Sequence, residues 1–245
     1  MRGDILKKKL MVLCAVAIMI STCLTGCKMS SGKIRFGSAG IGGTYQIFGD
    51  TFANLISSKS KKYNIEVKTT AGSAANLRLL SKDYIQMAVA QMDLINDAYN
   101  RTGIFENDKK YQGYRAVASL YTEACQIVVP ADSDIQSVDD LEGKKVCIGE
   151  EESGTEQNAL QILNAYGLNE RLVDTVNLNY TDAAKKLKSG DIDAFFCTAG
   201  VQTTVINELS KQCKIRLVSL DQKGVSRLKK SYKFYTEYTL SLIHI

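Results

Sequence analysis

The feature that most constrains this chain is an alternation. From Lys33 to Leu220, short runs suited to strands take turns with amphipathic runs suited to helices. "KIRFGS" reads as a strand, and Thr44 to Ser58 places Tyr45, Phe48, Phe52, Leu55 and Ile56 at helical spacing. "YNIEVKTT" alternates as a strand, and "SAANLRLLSKD" is a helix with Ser73 at its N-cap. "IQMAVAQ", "YRAVASL" and "CQIVVP" are three further strands, "SVDDL" a short helix and "KKVCIGE" a strand. "SGTEQNALQILNAYG" is a helix closed by Gly167. The series ends with the strand "TVNLN", the helix "TDAAKKLKSGD", the strand "IDAFFCTAG", the helix "VQTTVINELSK" and the strand "CKIRLVSL". Such alternation predicts an α/β fold with mainly parallel sheets. The lone Pro130 ends a strand just before the pattern resumes, which suggests a domain crossover. The expected architecture is two lobes, 33–129 and 130–220, with a cleft between them and a further segment at 221–239.

The beginning of the chain reads as export machinery. "MRGDILKKK" is a basic head, and "LMVLCAVAIMISTCL" is an apolar run of signal-peptide length, shorter than the ~20 residues a membrane span needs. It ends in "LTGC", which resembles a bacterial lipobox, so residues 1–26 are expected to be removed and Cys27 to carry lipid. An uncleaved anchor is the alternative. Residues 27–32 then form a short tether. Removing 1–26 leaves 27 basic and 25 acidic residues, a balance that speaks against a nucleic-acid binder. Four cysteines remain after Cys27, at 125, 147, 197 and 213, with no CxxC spacing and hence no support for a zinc or redox motif. Their even number in an exported chain allows disulfides, and their apolar settings favour small buried side chains.

The turn "GSAGIGGTY", Gly37 to Tyr45, joins a strand to a helix. It misses the phosphate-loop pattern because Gly43 stands where the lysine is needed, and misses GxGxxG because Tyr45 takes the last glycine's place. What remains is backbone physics: Gly42 and Gly43 let N–H groups approach a ligand, and a helix start favours negative charge. An ordinary turn reads equally well. Three other turns are alike: Gly72–Ser73, Ser153–Gly154–Thr155 and Thr198–Ala199–Gly200. Two fall in each expected lobe. Together they would make an anion site built mostly of backbone, although each Ser or Thr alone reads as a plain N-cap.

Across about residues 33 to 238 the chain also resembles a family. "IRFGSAGIGGTYQIFGD", "GSAANLRLLSKDYIQMAVAQMD", "YRAVASLYTEACQIVV", "DLEGKKVCIGEEESGTEQNALQILNAYGL" and "LKSGDIDAFFCTAG" are similar to the TAXI-type solute receptors of TRAP transporters. The resemblance implies a two-lobed type II periplasmic-binding-protein fold. It implies a monomer without a cofactor that closes on a small organic anion, an amino or dicarboxylic acid, and hands it to a membrane permease. It carries ligand contacts onto Gly42, Gly43, Thr44 and Tyr45, onto Gln91 of a Gln-x-Asp segment with Asp93, onto Ser153, Gly154 and Thr155, and onto Thr198, Ala199 and Gly200, and the turn pattern adds Ser73 to them. "EEE", Glu150 to Glu152, departs from the pattern, and its charge would oppose an acidic ligand if it faced the cleft. An ABC-type receptor is the alternative of the same class. An enzyme on this fold needs acid and base groups, yet the sole histidine is His244, and Asp191 and Asp193 read as turn residues. The resemblance stops after "KFYTEYT". Leu240 to Ile245 are what CTG TCT CTT ATA CAC ATC encodes, the mosaic end of a transposase adapter. They are expected to be library sequence, with part of the protein lying beyond.

Overall fold

The computed structural model describes residues 32–201 and 203–240. The leader, Cys27 and most of the tether, and residues 241–245, lie outside the described residues. No helix among the described residues is long and apolar enough to cross a membrane.

Two sheets organise the fold. The first has the order β2-β1-β3, built from β1 (Gly32–Gly37), β2 (Tyr63–Lys68) and β3 (Met87–Ala88), all parallel. Helices α1 (Thr44–Lys59), α2 (Ser73–Ser81) and α3 (Met92–Asn100) connect or follow these strands. The second sheet has the order β6-β5-β7-β4-β8. Its strands are β4 (Ala124–Pro130), β5 (Lys145–Cys147), β6 (Asp174–Val176), β7 (Ala194–Ala199) and β8 (Ile215–Val218). Helices α4 (Gly154–Ala165), α5 (Tyr180–Ser189), α6 (Thr204–Ser210) and α7 (Gln222–Ser231) complete this half.

Period-two alternation sorts the second sheet's apolar residues between two cores. Ile127, Val129, Val146, Ala194 and Phe196 face one, under α4 and α7. Val128, Cys147, Phe195 and Cys197 face the other, under α5 and α6. Phe195 and Phe196 are both completely buried, one on each side. A side chain of that class gains about 1.5–3 kcal/mol on burial, so β7 anchors both layers. The four cysteines are free.

Four sequence expectations are corrected. β4 lies wholly in the second sheet, antiparallel to both β7 and β8. Sheet membership therefore changes before Ala124, not at Pro130, and one strand breaks the otherwise parallel pattern. "YRAVASL" forms no strand: residues 114–120 carry no ladder partner, and Val117 is 84% exposed. Of "IQMAVAQ" only Met87 and Ala88 pair, both with β1. Ser73 does not cap α2; the residue before the helix is Gly72, with φ +127, a conformation open to glycine.

The first sheet is tied at its carboxyl end by one buried side chain. Asn76 Nδ2 donates to Ser38 O at 2.7 Å and to Val89 O at 2.9 Å, and Asn76 Oδ1 accepts from Thr70 Oγ1 at 2.8 Å. Those partners follow β1, β3 and β2 respectively. A Cβ on Gly37 would come within 2.5 Å of Asn76 Oδ1, so this position must lack a side chain.

Candidate functional site

The two halves meet at their helix starts. Ala75 N–H, in the first turn of α2, donates to Glu152 O at 3.1 Å, and Gln91 Nε2 donates to Asn158 Oδ1 at 3.1 Å. Thr181 Oγ1, at the start of α5, reaches Ile41 O at 3.3 Å, and Arg78 pairs with Glu152 at 3.3 Å. Between them lies a cavity of about 40 Å³.

Nine of the twelve residues expected to bind line this cavity: Gly43, Thr44, Tyr45, Ser73, Gln91, Ser153, Gly154, Thr155 and Thr198. Three do not. Gly42, with φ +91, faces Thr181 and Val205, and Ala199 is packed into the second core. Gly200 sits beside Thr44 and the Tyr121 ring. Asp93 lies away from the cavity, where burial raises its acid above the usual range.

Several lining side chains have local duties. Ser153 Oγ caps α4 by accepting from Glu156 N–H at 2.9 Å. Ser73 Oγ accepts from Gln91 N–H at 3.0 Å and lies 3.5 Å from Tyr45 Oη. Glu123 receives hydrogen bonds from Tyr45 Oη at 2.9 Å and Tyr121 Oη at 3.4 Å. Burial pushes the Glu123 carboxyl up to about 7, against the downward pull of these bonds. Tyr180 Oη donates to Thr198 O at 2.9 Å, accepts from Thr198 N–H at 3.2 Å and contacts Thr155 Oγ1. Because Tyr180 has one proton, Thr155 is the donor in that last contact.

Glu123, Tyr180 and Glu150 line the cavity and escaped the sequence reading as site residues. Glu123 follows the segment mistaken for a strand, and Tyr180 looks like a helix-start aromatic in "TVNLNYTDAA". Only the "EEE" run offered a signal. Of it, Glu150 faces the cavity and is held up in pKa by burial and by Asp182, whereas Glu152 turns to Arg78. Gly40 makes room for Glu150, since a Cβ there would collide with the carboxylate. No group of three or more His, Cys, Asp or Glu suited to a metal occurs among the described residues.

The arrangement offers both polarities at close quarters. First-turn N–H groups of Ser73, Ala74, Gly154 and Thr155 carry no hydrogen bond to another described residue, as helix starts leave them. Carboxylates and hydroxyl oxygens face the same space. Such a site has the donors and acceptors to hold a small polar molecule.

Comparison with known proteins gives the lineage. The alkanesulfonate-binding protein SsuA from Xanthomonas axonopodis pv. citri, solved with MOPS, superposes with a TM-score of 0.52 at 18% identity, over 76% of this chain and 60% of that one. The binding-protein component of an ABC phosphonate transporter from Pseudomonas aeruginosa gives 0.52 at 12% identity, over 81% and 72%. The GluR0 ligand-binding core with L-glutamate gives 0.51 at 13% identity, over 78% and 80%. At such identities the likeness establishes the fold, the type II periplasmic-binding-protein fold with two lobes. The NMT1-like family profile matches residues 36–241. With that match spanning most of its length, the chain belongs to the NMT1-like family.

Proposed function

We propose that this protein is the extracytoplasmic receptor of a solute importer, taking a small organic acid between its two halves without changing it. One observation carries the reading: turns from both halves, at Gly43–Tyr45, Gly72–Ser73, Ser153–Thr155 and Thr198, line one cavity. Free helix-start N–H groups supply the anion's partners. At about 40 Å³ the cavity as it stands has room for on the order of three waters, so a larger solute requires the halves to part and close again. Neighbouring folds bind an alkanesulfonate, L-glutamate or serve phosphonate transport, which frames the ligand class.

Delivery to a TRAP-type permease belongs to this proposal, supported by the run of TAXI-like motifs from Ile34 to Gly200. An ABC-type importer is the second reading, favoured by the phosphonate-transporter neighbour. Uptake into vesicles that follows an ion gradient and ignores ATP would support the first, and the reverse would support the second. Anchoring through a lipidated Cys27 is likewise proposed from "LTGC", and mass spectrometry of the membrane fraction reads it directly. The receptor reading itself is tested by a thermal-shift screen of carboxylates, sulfonates and amino acids, because a ligand of the folded state raises the midpoint by mass action. A flat response across the panel, or a ligand recovered in altered form, would overturn it.

A further inference from the structure

The cavity is richer in acceptors than an organic anion needs. The Thr155 proton is spent on Tyr180, so its oxygen offers only lone pairs inward. The Tyr45 proton goes to Glu123 Oε2. Gln91 Oε1 is buried with no partner. Its orientation is fixed by a chain in which Gln91 Nε2 donates to Asn158 Oδ1, Asn158 Nδ2 to Tyr235 Oη, and Tyr235 Oη to Gln161 Oε1. Thr198 Oγ1, on a residue only 8% exposed, also lacks a partner and lines the cavity. Glu123 and Glu150 add two carboxylates, and among the described residues no Lys or Arg lines the space.

A buried carboxylate without a cation is costly, and so is a buried carbonyl oxygen without a donor. Both costs vanish if the ligand brings an ammonium. We infer that Glu123 selects ligands carrying a protonated amine beside their acid group, so that the cavity takes a zwitterion in preference to a plain organic anion. This rests on the receptor reading above and adds a specificity-determining residue to it. The groups that bear on Glu123 are Tyr45 of α1, Gln91, Asp93 of α3 and Tyr121, with Cys125, Tyr180 and Cys197 from the second half; none is a cation. With its carboxyl near 7 in this setting, an arriving ammonium stabilises the ionised form and expels a proton at neutral pH.

The test is calorimetry with matched pairs differing only in the amine: L-glutamate and glutarate, L-alanine and propionate, taurine and ethanesulfonate. Each is titrated near pH 7 in two buffers of different ionisation enthalpy, against the natural chain and Glu123→Gln. The amino member of the binding pair should be about tenfold tighter or more, the value of one charge-assisted hydrogen bond, and its binding should release protons. Glu123→Gln should lose both the preference for the amino member, read as the ratio of the two affinities, and the proton release. Equal or tighter binding of the deaminated partner by the natural chain overturns the inference and leaves the receptor reading intact. Retention of the preference in Glu123→Gln overturns it as well. If no member of any pair binds, the receptor reading fails and this inference with it. Should Glu123→Gln not fold, Tyr45→Phe removes the hydrogen bond that holds the carboxylate; it should weaken the amino member more than its partner, and equal losses would count against the idea.

Discussion

The two halves of the molecule are built to different standards. The second surrounds a five-stranded sheet with two continuous buried cores, and β7 between them is buried along its whole length. The first has three strands, one of them only two residues long, and two small clusters around Leu77 and Phe36. Most of the exposed large apolar side chains lie before Ala124, among them Ile41, Ile47, Leu55, Tyr84 and Val117. A broad groove of about 2050 Å³ runs past β3, the Tyr111–Tyr121 stretch and Tyr232–Leu240. Buried apolar area is the main favourable term in folding, so rigidity should be concentrated in the second half. The first half instead depends on point ties such as Asn76. The cavity lies where the firm half meets the yielding one, an arrangement suited to a site that must open.

Four measurements would break or sharpen this contrast. The largest effect is expected for Phe196→Ala, at about 3–5 kcal/mol for a fully buried aromatic. Phe52→Ala in the half-buried cluster of the first sheet should cost roughly half as much. Urea unfolding compares them, and equal losses would erase the distinction between the halves. Next comes Asn76→Ala, expected to cost about 1–3 kcal/mol because it strands the carbonyl of Val89 and leaves that of Ser38 with Thr70 Oγ1 alone. Hydrogen exchange should show the amides of β1 and β3 loosening while those of β7 stay protected; uniform loosening would contradict the independence of the two cores.

A pH effect follows from Glu123. Its folded acid constant near 7 lies above the ordinary 4.5, so between these values the folded chain holds a proton that the unfolded chain releases. Stability contributed by the protonated form is therefore full below about 4.5 and declines as pH rises through 7. Glu123→Gln should flatten that decline, and an unchanged slope across the window would show that the carboxyl is not buried at the junction. The smallest effect is expected at the contact between the halves. Glu152→Gln breaks the half-exposed pair with Arg78, worth below about 1 kcal/mol. It should barely move the unfolding midpoint while making the scattering profile more expanded at low salt, and a larger change in the midpoint would mean the halves support each other's folding.

The sequence by itself determined the alternation of strands and helices and the turns that gather at one end of the sheets. These are local quantities: helical and strand periods are written in neighbouring residues, and glycine or Ser/Thr marks a helix start wherever it folds. The tertiary structure alone decided that "YRAVASL" stays unpaired, because a strand needs a partner edge and that edge is not encoded in its own residues. It placed β4 in the second sheet for the same reason, since sheet order is a choice among distant segments. It also chose the cavity's chemistry. Ser73, Ser153 and Thr155 were legible as polar turn residues, but the partner each takes, Gln91 N–H for Ser73, Glu156 N–H for Ser153 and the Tyr180 hydroxyl for Thr155, is set by the folded turns. Glu123 was invisible in the sequence because a lone acid in an extended segment looks solvated; only packing against Tyr45 and Tyr121 takes it out of water and raises its carboxyl above the usual range.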